Sequence, residues 1–491
     1  MEYEPINYLF NPSSIDELHE CSLEAAFSFE REDLFSLNTV PDGAIDDDDD
    51  CLERLLQLEE DQLVEFDSIC QDTVMDLDRC GLEIGSDDHG MTEENQENLS
   101  VSTEGNSPLR GVQEELMQES SLTDLLLMGA EAVEAKNWLL ASAAVEKLNY
   151  LLIDTENGYG DDLFKRLALF FTRALHYMSI NALEIRSRDV EEHNNTIFAF
   201  QILQELSPFV KFAHFTANQA IIEATRGDRE VHVVDFDIME GIQWPPLMVE
   251  LAMSKEIVFR VTAIIVDKRN GVHVEQTGRR LREYADSINL PFMFDQMVME
   301  REEDFERMKV GNTFIANCMI HQLHMPNRTF SMLKNFLGGM IKLSPKILIL
   351  VEEELFNFGR IQSMSFVEFF CEALHHYTAL TDSLVNSYSG VYKMWLRLLE
   401  KEFLGSRILE SLNQFSSNEE ERMQWRSEGF ASLKGFRRIP VSSCNISQAK
   451  SLVSLYSGGY WVKHEKCRLA LCWKSRPMTA ASIWVPKTKR R

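Results

Sequence analysis

The sequence predicts an α/β protein whose mostly parallel, doubly wound sheet ends in an antiparallel hairpin and follows an all-helical cap and a disordered acidic arm. Three observations predict this arrangement. Residues 1–120 hold 34 of the 79 acidic residues but only 4 of the 48 basic ones. Helical apolar periodicity then runs to about residue 226. From Val231 onward, strand patterns alternate with helical ones, and turn-separated strands end the chain.

Composition narrows the class of protein further. Hydrophobic residues make up 44% of the 491-residue chain, which is enough for a sizeable core. The nine cysteines form no C-x-x-C pair, which favours reduced thiols inside a cell. The first residues carry acids where a signal peptide carries cations, and no apolar run reaches the roughly 18 residues that span a bilayer. We therefore expect an intracellular protein without a membrane partner.

Residues 1–118 form the predicted acidic arm. Five consecutive aspartates, Asp46 to Asp50, repel one another, and little apolar surface is available to offset the entropy of ordering. Between Leu52 and Ile69, bulky apolar residues recur at near-helical spacing among acids. This composition is typical of an activation or docking segment that folds on its partner, and equally of a solubilising tail.

Residues 119–226 form the predicted helical cap, which opens with capping-box spacing at Ser121 and Asp124. Apolar stripes on such helices are usually core. Leucine-rich helices ahead of a complete sheet nevertheless need a surface to bury against, and a second protein can supply it. The candidate partner-docking residues are Leu140, Leu148, Leu151, Leu163, Leu167 and Phe170.

The predicted α/β core spans residues 227–485. Its first β-branched strand ends on Asp235 and Asp237, Gly241 follows in a short loop, and Pro245 suits the first turn of a helix. In such sheets, ligands bind beyond the carboxyl ends of the strands, so these acids invite a functional interpretation. Further strands are predicted at residues 259–266, 292–298, 313–317, 346–351, 436–441, 460–466, 469–473 and 480–484, with helices at 274–288, 327–337, 366–384, 391–404 and 447–455.

Several blocks of this core resemble one known family. Val-His-Val-Val-Asp at 231–235, followed by Gly-Ile-Gln-Trp at 241–244, resembles the signature of the GRAS family of plant transcriptional regulators. The match covers roughly residues 119–485, which is far more specific than a short motif. Residues 237–244 and 375–384 look most like the nodulation signalling pathway branch of scarecrow-like proteins. Further blocks in the family's order are residues 207–224, 276–281, 345–354 and 482–484.

The resemblance implies a class I methyltransferase-like Rossmann core and a role as a nuclear co-regulator of transcription. It implies partners among other GRAS or transcription-factor proteins, in homo- or heterodimers that reach promoter DNA indirectly. The nodulation branch adds symbiosis or strigolactone-related signalling. The short basic end at 486–491 is a candidate nuclear import signal or a solvated tail.

A methyl-transfer hypothesis follows from the same resemblance. S-adenosylmethionine needs a glycine-rich turn after the first strand and an acid at the end of the second for its ribose. The candidate cleft is Asp235, Asp237, Gly241 and Asp267, in which Asp267 meets the second requirement but a lone glycine does not meet the first. We therefore expect no cofactor and no catalysis, with Asp235 and Asp237 hydrogen-bonded to backbone N–H groups. A small-molecule receptor that uses this cleft stays open.

Metal and DNA sites are the remaining hypotheses. Cys318, His321 and His324 are zinc-ligand types, but a structural site needs a fourth ligand, and we expect no metal. Outside the arm the chain is close to neutral, which is unlike the basic surplus of DNA-binding domains. Direct binding to promoter DNA stays an alternative. Its candidate phosphate contacts are Arg279, Arg280, Arg282, Arg437 and Arg438.

Overall fold

The computed structural model describes residues 120–156, 162–180, 195–253, 257–310, 314–320, 322–356, 364–387, 393–417, 435–456 and 458–487. The predicted acidic arm and most of the basic end lie outside the described residues. No helix within the described ranges has the length and apolar character needed to cross a bilayer.

One sheet organises the described part of the chain. Its strands run in the spatial order β3-β2-β1-β4-β5-β9-β8-β7, with β6 alongside β9. Strands β1 to β5 are parallel, whereas β6 to β9 pair antiparallel, so the predicted fold class is confirmed. The strands are β1 (Glu230–Phe236), β2 (Val258–Ile265), β3 (Phe292–Val298), β4 (Phe314–Ile320), β5 (Ile347–Glu353), β6 (Phe436–Ile439), β7 (Tyr460–Glu465), β8 (Arg468–Trp473) and β9 (Arg476–Pro486).

Helices precede the sheet and alternate with its parallel strands. Ser121 and Asp124 form the predicted capping box, and Pro245 occupies the first turn of its helix, where a missing N–H costs nothing. The helix at 406–417 was absent from the sequence prediction. The helices are α1 (Leu122–Glu134), α2 (Trp138–Glu156), α3 (Leu163–Ser179), α4 (Asn195–Leu206), α5 (Phe209–Ala224), α6 (Trp244–Ala252), α7 (Gly271–Ser287), α8 (Phe330–Leu343), α9 (Phe366–Ser387), α10 (Lys393–Leu399), α11 (Ser406–Ser417) and α12 (Ser443–Ser454).

Both faces of the sheet are buried. Successive strand residues point to opposite faces, so Val233 belongs to one apolar cluster and Val234 to the other. Helices α6 and α7 and part of α5 cover the Val233 face, while α1 to α4 and α8 to α11 belong with the Val234 face. Near-continuous apolar strands such as β1 and β5 therefore follow from burial on two sides.

The helices before the sheet share their core with helices that come much later in the chain. Arg166 on α3 donates from Nε to Glu400 Oε2 at 3.0 Å, in the π-helical turn Glu400–Gly405 that joins α10 to α11. Glu134 on α1 accepts a hydrogen bond from the backbone N–H of Val367 on α9 at 2.8 Å. The division into a cap and a core at residue 226 stays a prediction.

Candidate functional site

The loop between β1 and α6 lies at the carboxyl end of the sheet, where the candidate cleft was predicted. Asp237, Met239 and Gly241 all have positive φ angles, of 73°, 51° and 74°. Residues other than glycine rarely adopt this backbone conformation, so tertiary contacts must hold the loop in place. A Cβ atom added to Gly241 would lie 2.7 Å from Thr277 Cγ2, which explains why glycine stands there.

Asp235 is buried at the end of β1 and bonded to two side chains. Asn317 lies beside it on β4 and donates from Nδ2 to Asp235 Oδ1 at 2.8 Å, while Trp244 Nε1 donates to Oδ2 at 3.2 Å. Burial raises the pKa of Asp235 to about 7, and the Asn317 hydrogen bond opposes the rise. The predicted backbone partners are wrong, because strand neighbours and an indole N–H satisfy this carboxyl group instead.

Asp237 pairs with a cation that the sequence prediction missed. Arg328, just before α8, donates from Nε and Nη2 to the two carboxylate oxygens at 2.6 and 2.8 Å. The planar guanidinium matches a carboxylate bidentately, and both side chains are about nine-tenths buried. Asp267, which was expected to suit a ribose, accepts from the backbone N–H and the guanidinium of Arg269. Both contacts lower the pKa of Asp267, and the side-chain hydrogen bond from Arg269 has the larger effect.

Glu240 anchors the loop to α7. His273 Nε2 and Arg280 Nη2 each lie 2.8 Å from its carboxylate oxygens. Burial alone raises the pKa of Glu240, but the hydrogen bonds and charges of His273 and Arg280 outweigh it and lower that pKa to about 2. The bond from Glu240 correspondingly raises the pKa of His273.

The space left within this cleft is small. The cavity encloses about 20 Å³, which is room for about one water molecule. Two histidines line it, His214 and His324, and burial lowers the pKa of each to about 3, so both are neutral at physiological pH. The Oδ1 atom of Asn317 is buried without a hydrogen-bond partner in the described residues. The full lining is Phe200, His214, Asp235, Asp237, Ile238, Met239, Glu240, Gly241, Ile242, Gln243, Asn317, Met319, His324 and Met325.

The residues of the cleft do not fit S-adenosylmethionine. Cofactor and drug-sized pockets run to about 300 Å³ or more, well above the space here. Loop side chains such as Ile238 and Met239 fill the place where a glycine-rich turn would let a cofactor approach. Asp267 is engaged by Arg269.

A second buried ionic cluster lies at the end of β5. Glu353 accepts from Arg407 Nη2 on α11 at 2.8 Å and lies 2.6 Å from His376 Nε2 on α9. Burial raises the pKa of Glu353, but the charges of Arg407 and His376 outweigh it and lower the value to about 2. Arg407 also binds Asn327, and Ser411 lies 3.0 Å from the hydroxyl of Tyr377. The cluster joins β5, α9 and α11, and it accounts for the buried His376, whereas the neighbouring His375 is exposed.

The six candidate docking residues divide by exposure. Leu148 and Leu167 lie in the core, and Leu140, Leu163 and Phe170 are partly buried against it. Leu151 is exposed. A different apolar face of α2 is open to solvent: Leu139 is 87% exposed, Tyr150 72% and Ile153 56%. The docking role of the six stays a prediction.

The five candidate DNA contacts do not converge on one surface. Arg280 pairs with Glu240, and Arg282 lies on Phe294. Arg437 and Arg438 lie on β6 and so point to opposite faces of the sheet, with Arg438 over the Trp484 ring at 4.5 Å. The α7 arginines, including exposed Arg279, lie beside β2 and β3, five to six strands and therefore roughly 24 to 29 Å away at about 4.8 Å per strand.

The candidate zinc ligands are also dispersed. Cys318 is buried within β4, where burial raises the pKa of its thiol, so the sulfur stays protonated. His324 lines the cleft, with its ring centroid 4.5 Å from that of Phe200. His321 lies outside the described residues. Among the described residues, no group of three histidine, cysteine or acidic side chains is placed to hold a metal ion.

Comparisons with known proteins agree with this architecture. The GRAS domain family matches residues 122–485. Nodulation Signaling Pathway 2 of Medicago truncatula is 37% identical over 74% of this chain and 75% of its own length. Scarecrow-like protein 26 of Arabidopsis thaliana is 33% identical over 65% of this chain and 69% of its own. The crystal structure of SCL7 in Oryza sativa aligns with a TM-score of 0.58 at 26% identity, covering 74% of this chain and all of that one. The chain therefore belongs to the GRAS family of plant regulators, within its nodulation signalling branch.

Proposed function

We propose that this protein is a nuclear co-regulator of transcription that works through protein contacts and not through catalysis. The observation that carries the proposal is the open apolar face of α2. Leu139, Glu146, Tyr150 and Ile153 recur at helical spacing along that face, and the three apolar members are more than half exposed. Exposed apolar faces of this kind mark interaction sites in soluble proteins.

The filled cleft supports the non-enzymatic part of the proposal. The buried carboxyl groups there bind neighbouring side chains of the chain itself, and about 20 Å³ is left. Relatives named as regulators, including DELLA and SCARECROW proteins, point the same way. The partner we propose is another GRAS or transcription-factor protein, in a homo- or heterodimer that reaches promoters indirectly.

The proposed signalling pathway is taken from the names of the similar proteins. Because the nodulation signalling proteins of Medicago truncatula and Lotus japonicus match three quarters of their length, we propose a role in symbiosis or strigolactone-related signalling. The basic end that starts at Lys487 is the proposed import signal.

The test is co-precipitation of the full chain from plant nuclei. Tyr150→Asp with Ile153→Asp places charges on the open face of α2 and should reduce partner recovery at least about tenfold, which corresponds to about 1.4 kcal/mol. Leu455→Asp is the matched control, because Leu455 is equally apolar and 65% exposed but lies after α12. Equal recovery of partners by all three chains would contradict the proposal, and nuclear localisation should not change in either variant.

A further inference from the structure

Strand β3 ends the sheet on the side opposite β7, and β2 is its neighbour in the described part of the sheet. Two backbone hydrogen bonds fix how β3 is turned. Phe259 N donates to Pro291 O, and Met299 N donates to Ile265 O, both at 2.9 Å. In a parallel ladder, alternate residues direct both their N–H and C=O groups to the same neighbour. Odd-numbered residues from 291 to 299 therefore bond to β2, and the even-numbered ones point their backbone groups outward.

The outer edge of β3 has the features of a strand that attracts another. It is seven residues long and contains no proline, glycine or lysine. Its single charge, Asp295, is bound by Arg260 of β2 at 2.7 Å, and Met293 and Val298 are exposed apolar side chains. Unpaired edges of this kind form templates for strands of other molecules.

Arg282 covers one of the outward backbone groups. Its Nη2 donates to the carbonyl oxygen of Phe294 at 3.0 Å. Phe294 is even-numbered, so this carbonyl is one that an added strand would need for its ladder. The guanidinium also lies 5.4 Å from the centroid of the Phe294 ring, which holds the side chain flat along the edge.

Gly278, one helical turn before Arg282, sets the distance between α7 and β3. A Cβ atom added to Gly278 would lie 2.3 Å from Cδ1 of Phe294, so the helix approaches the strand as closely as its backbone allows. Residues four apart lie on one face of a helix, and Arg282 therefore projects over the same phenylalanine. Gly278 and Arg282 thus act together on Phe294.

We propose that Arg282 keeps the outer edge of β3 from pairing with a second copy of this chain. A strand that approaches Phe294 meets an occupied carbonyl and a cation that must lose its hydration before pairing proceeds. Self-association of this kind runs through the sheet and is independent of partner binding through α2. It gives Arg282 a role on the protein itself, different from the phosphate contact that its charge suggested.

The test compares the mass of the full chain with that of Arg282→Leu by light scattering at about 10 to 100 μM, the range in which open strands associate. The Arg282→Leu chain should reach about twice the mass of the unsubstituted chain or more, because its edge is free. Hydrogen exchange at residues 292–298 should slow on association. Arg279→Leu is the matched control, since Arg279 lies on the same helix and is exposed. That variant should keep the mass of the unsubstituted chain.

Two more variants separate edge pairing from general stickiness or misfolding. Adding Gln296→Lys to Arg282→Leu places a charge on the edge and should restore the original mass. Arg282→Lys keeps a charge and a donor, and it should retain both the mass and the circular dichroism of the unsubstituted chain. The proposal is overturned if Arg282→Leu keeps the mass of the Arg279→Leu control, if its association survives Gln296→Lys, or if Arg282→Lys associates as strongly as Arg282→Leu.

Discussion

Arg328 and Asp237 form a bidentate pair with distances of 2.6 and 2.8 Å, joining the segment before α8 to the loop after β1. Both side chains are about nine-tenths buried, so neither charge has water to replace its partner. Asp237 lines the cleft at the carboxyl ends of the parallel strands, which is where ligands bind in open α/β sheets.

Arg328→Met should lower the free energy of unfolding by about 3 to 5 kcal/mol, because it leaves a buried carboxylate unpaired. Adding Asp237→Asn removes that charge and should recover a large part of the loss. Urea unfolding of the four chains of this cycle measures the coupling. Additive losses from the two single variants would contradict a direct interaction.

Asp235 should make the protein less stable as pH rises toward neutral. Its folded pKa is about 7 and its unfolded value is 3.8, so the unfolded chain releases the proton first. The stabilisation is complete below about pH 4 and falls by up to about 1.4 kcal/mol per pH unit until about pH 7. Asp235→Asn should flatten this dependence in denaturant unfolding at about pH 5, 6 and 7. Burial also raises the pKa of Glu352 to about 7, so Glu352 contributes the pH dependence that remains in the Asp235→Asn chain.

Glu353 should act in the opposite direction at low pH. Its pKa is lowered from 4.5 to about 2 in the folded chain, so its contribution is full above about pH 4.5 and is lost as pH falls toward 2. The stability difference between the unsubstituted chain and Glu353→Gln should therefore shrink over this range. A stability difference that stays constant from about pH 5 to 2 would show that the charge of Glu353 does not stabilise the cluster.

Calorimetry should detect no heat when S-adenosylmethionine is added to the full chain. The cavity of about 20 Å³ is far smaller than the cofactor, and Gly241 already lies against Thr277. An active methyltransferase measured in the same buffer is the positive control. Saturable heat with a stoichiometry near one would contradict the fit derived from the cleft.

Promoter duplexes should not shift when the purified chain is added alone at physiological salt. The arginines of α7 and β6 are dispersed, and Arg280 is neutralised by Glu240. A shift whose log-affinity falls steeply with log salt would instead indicate several direct phosphate contacts. A shift that appears only with a partner protein is the result expected of a co-regulator.

Local patterns in the sequence predicted most of the helices and strands, although not the helix at 406–417, and they did not predict the contacts of the cleft. The bounds of β3, the cap at Ser121 and the helix with Pro245 in its first turn all follow from neighbouring residues, and the structure confirms them. Asn317 lies 82 positions from Asp235, and Arg328 lies 91 positions from Asp237. Hydrophobic periodicity along the sequence contains no information about pairs so far apart. The position of Asn317 on the strand next to β1 was the one available signal, because parallel strands end at the same edge.

Helices from distant parts of the chain complete one apolar cluster, so that cluster cannot form until most of the chain has been synthesised. The α3 contact with Glu400 must wait for about 230 further residues to leave the ribosome, which takes roughly 12 to 46 s at about 5 to 20 residues per second. During that interval the leucines of the first helices lack the later helices that cover them. The nascent chain should therefore depend on chaperones until α9 to α11 arrive, and truncations that remove them should aggregate.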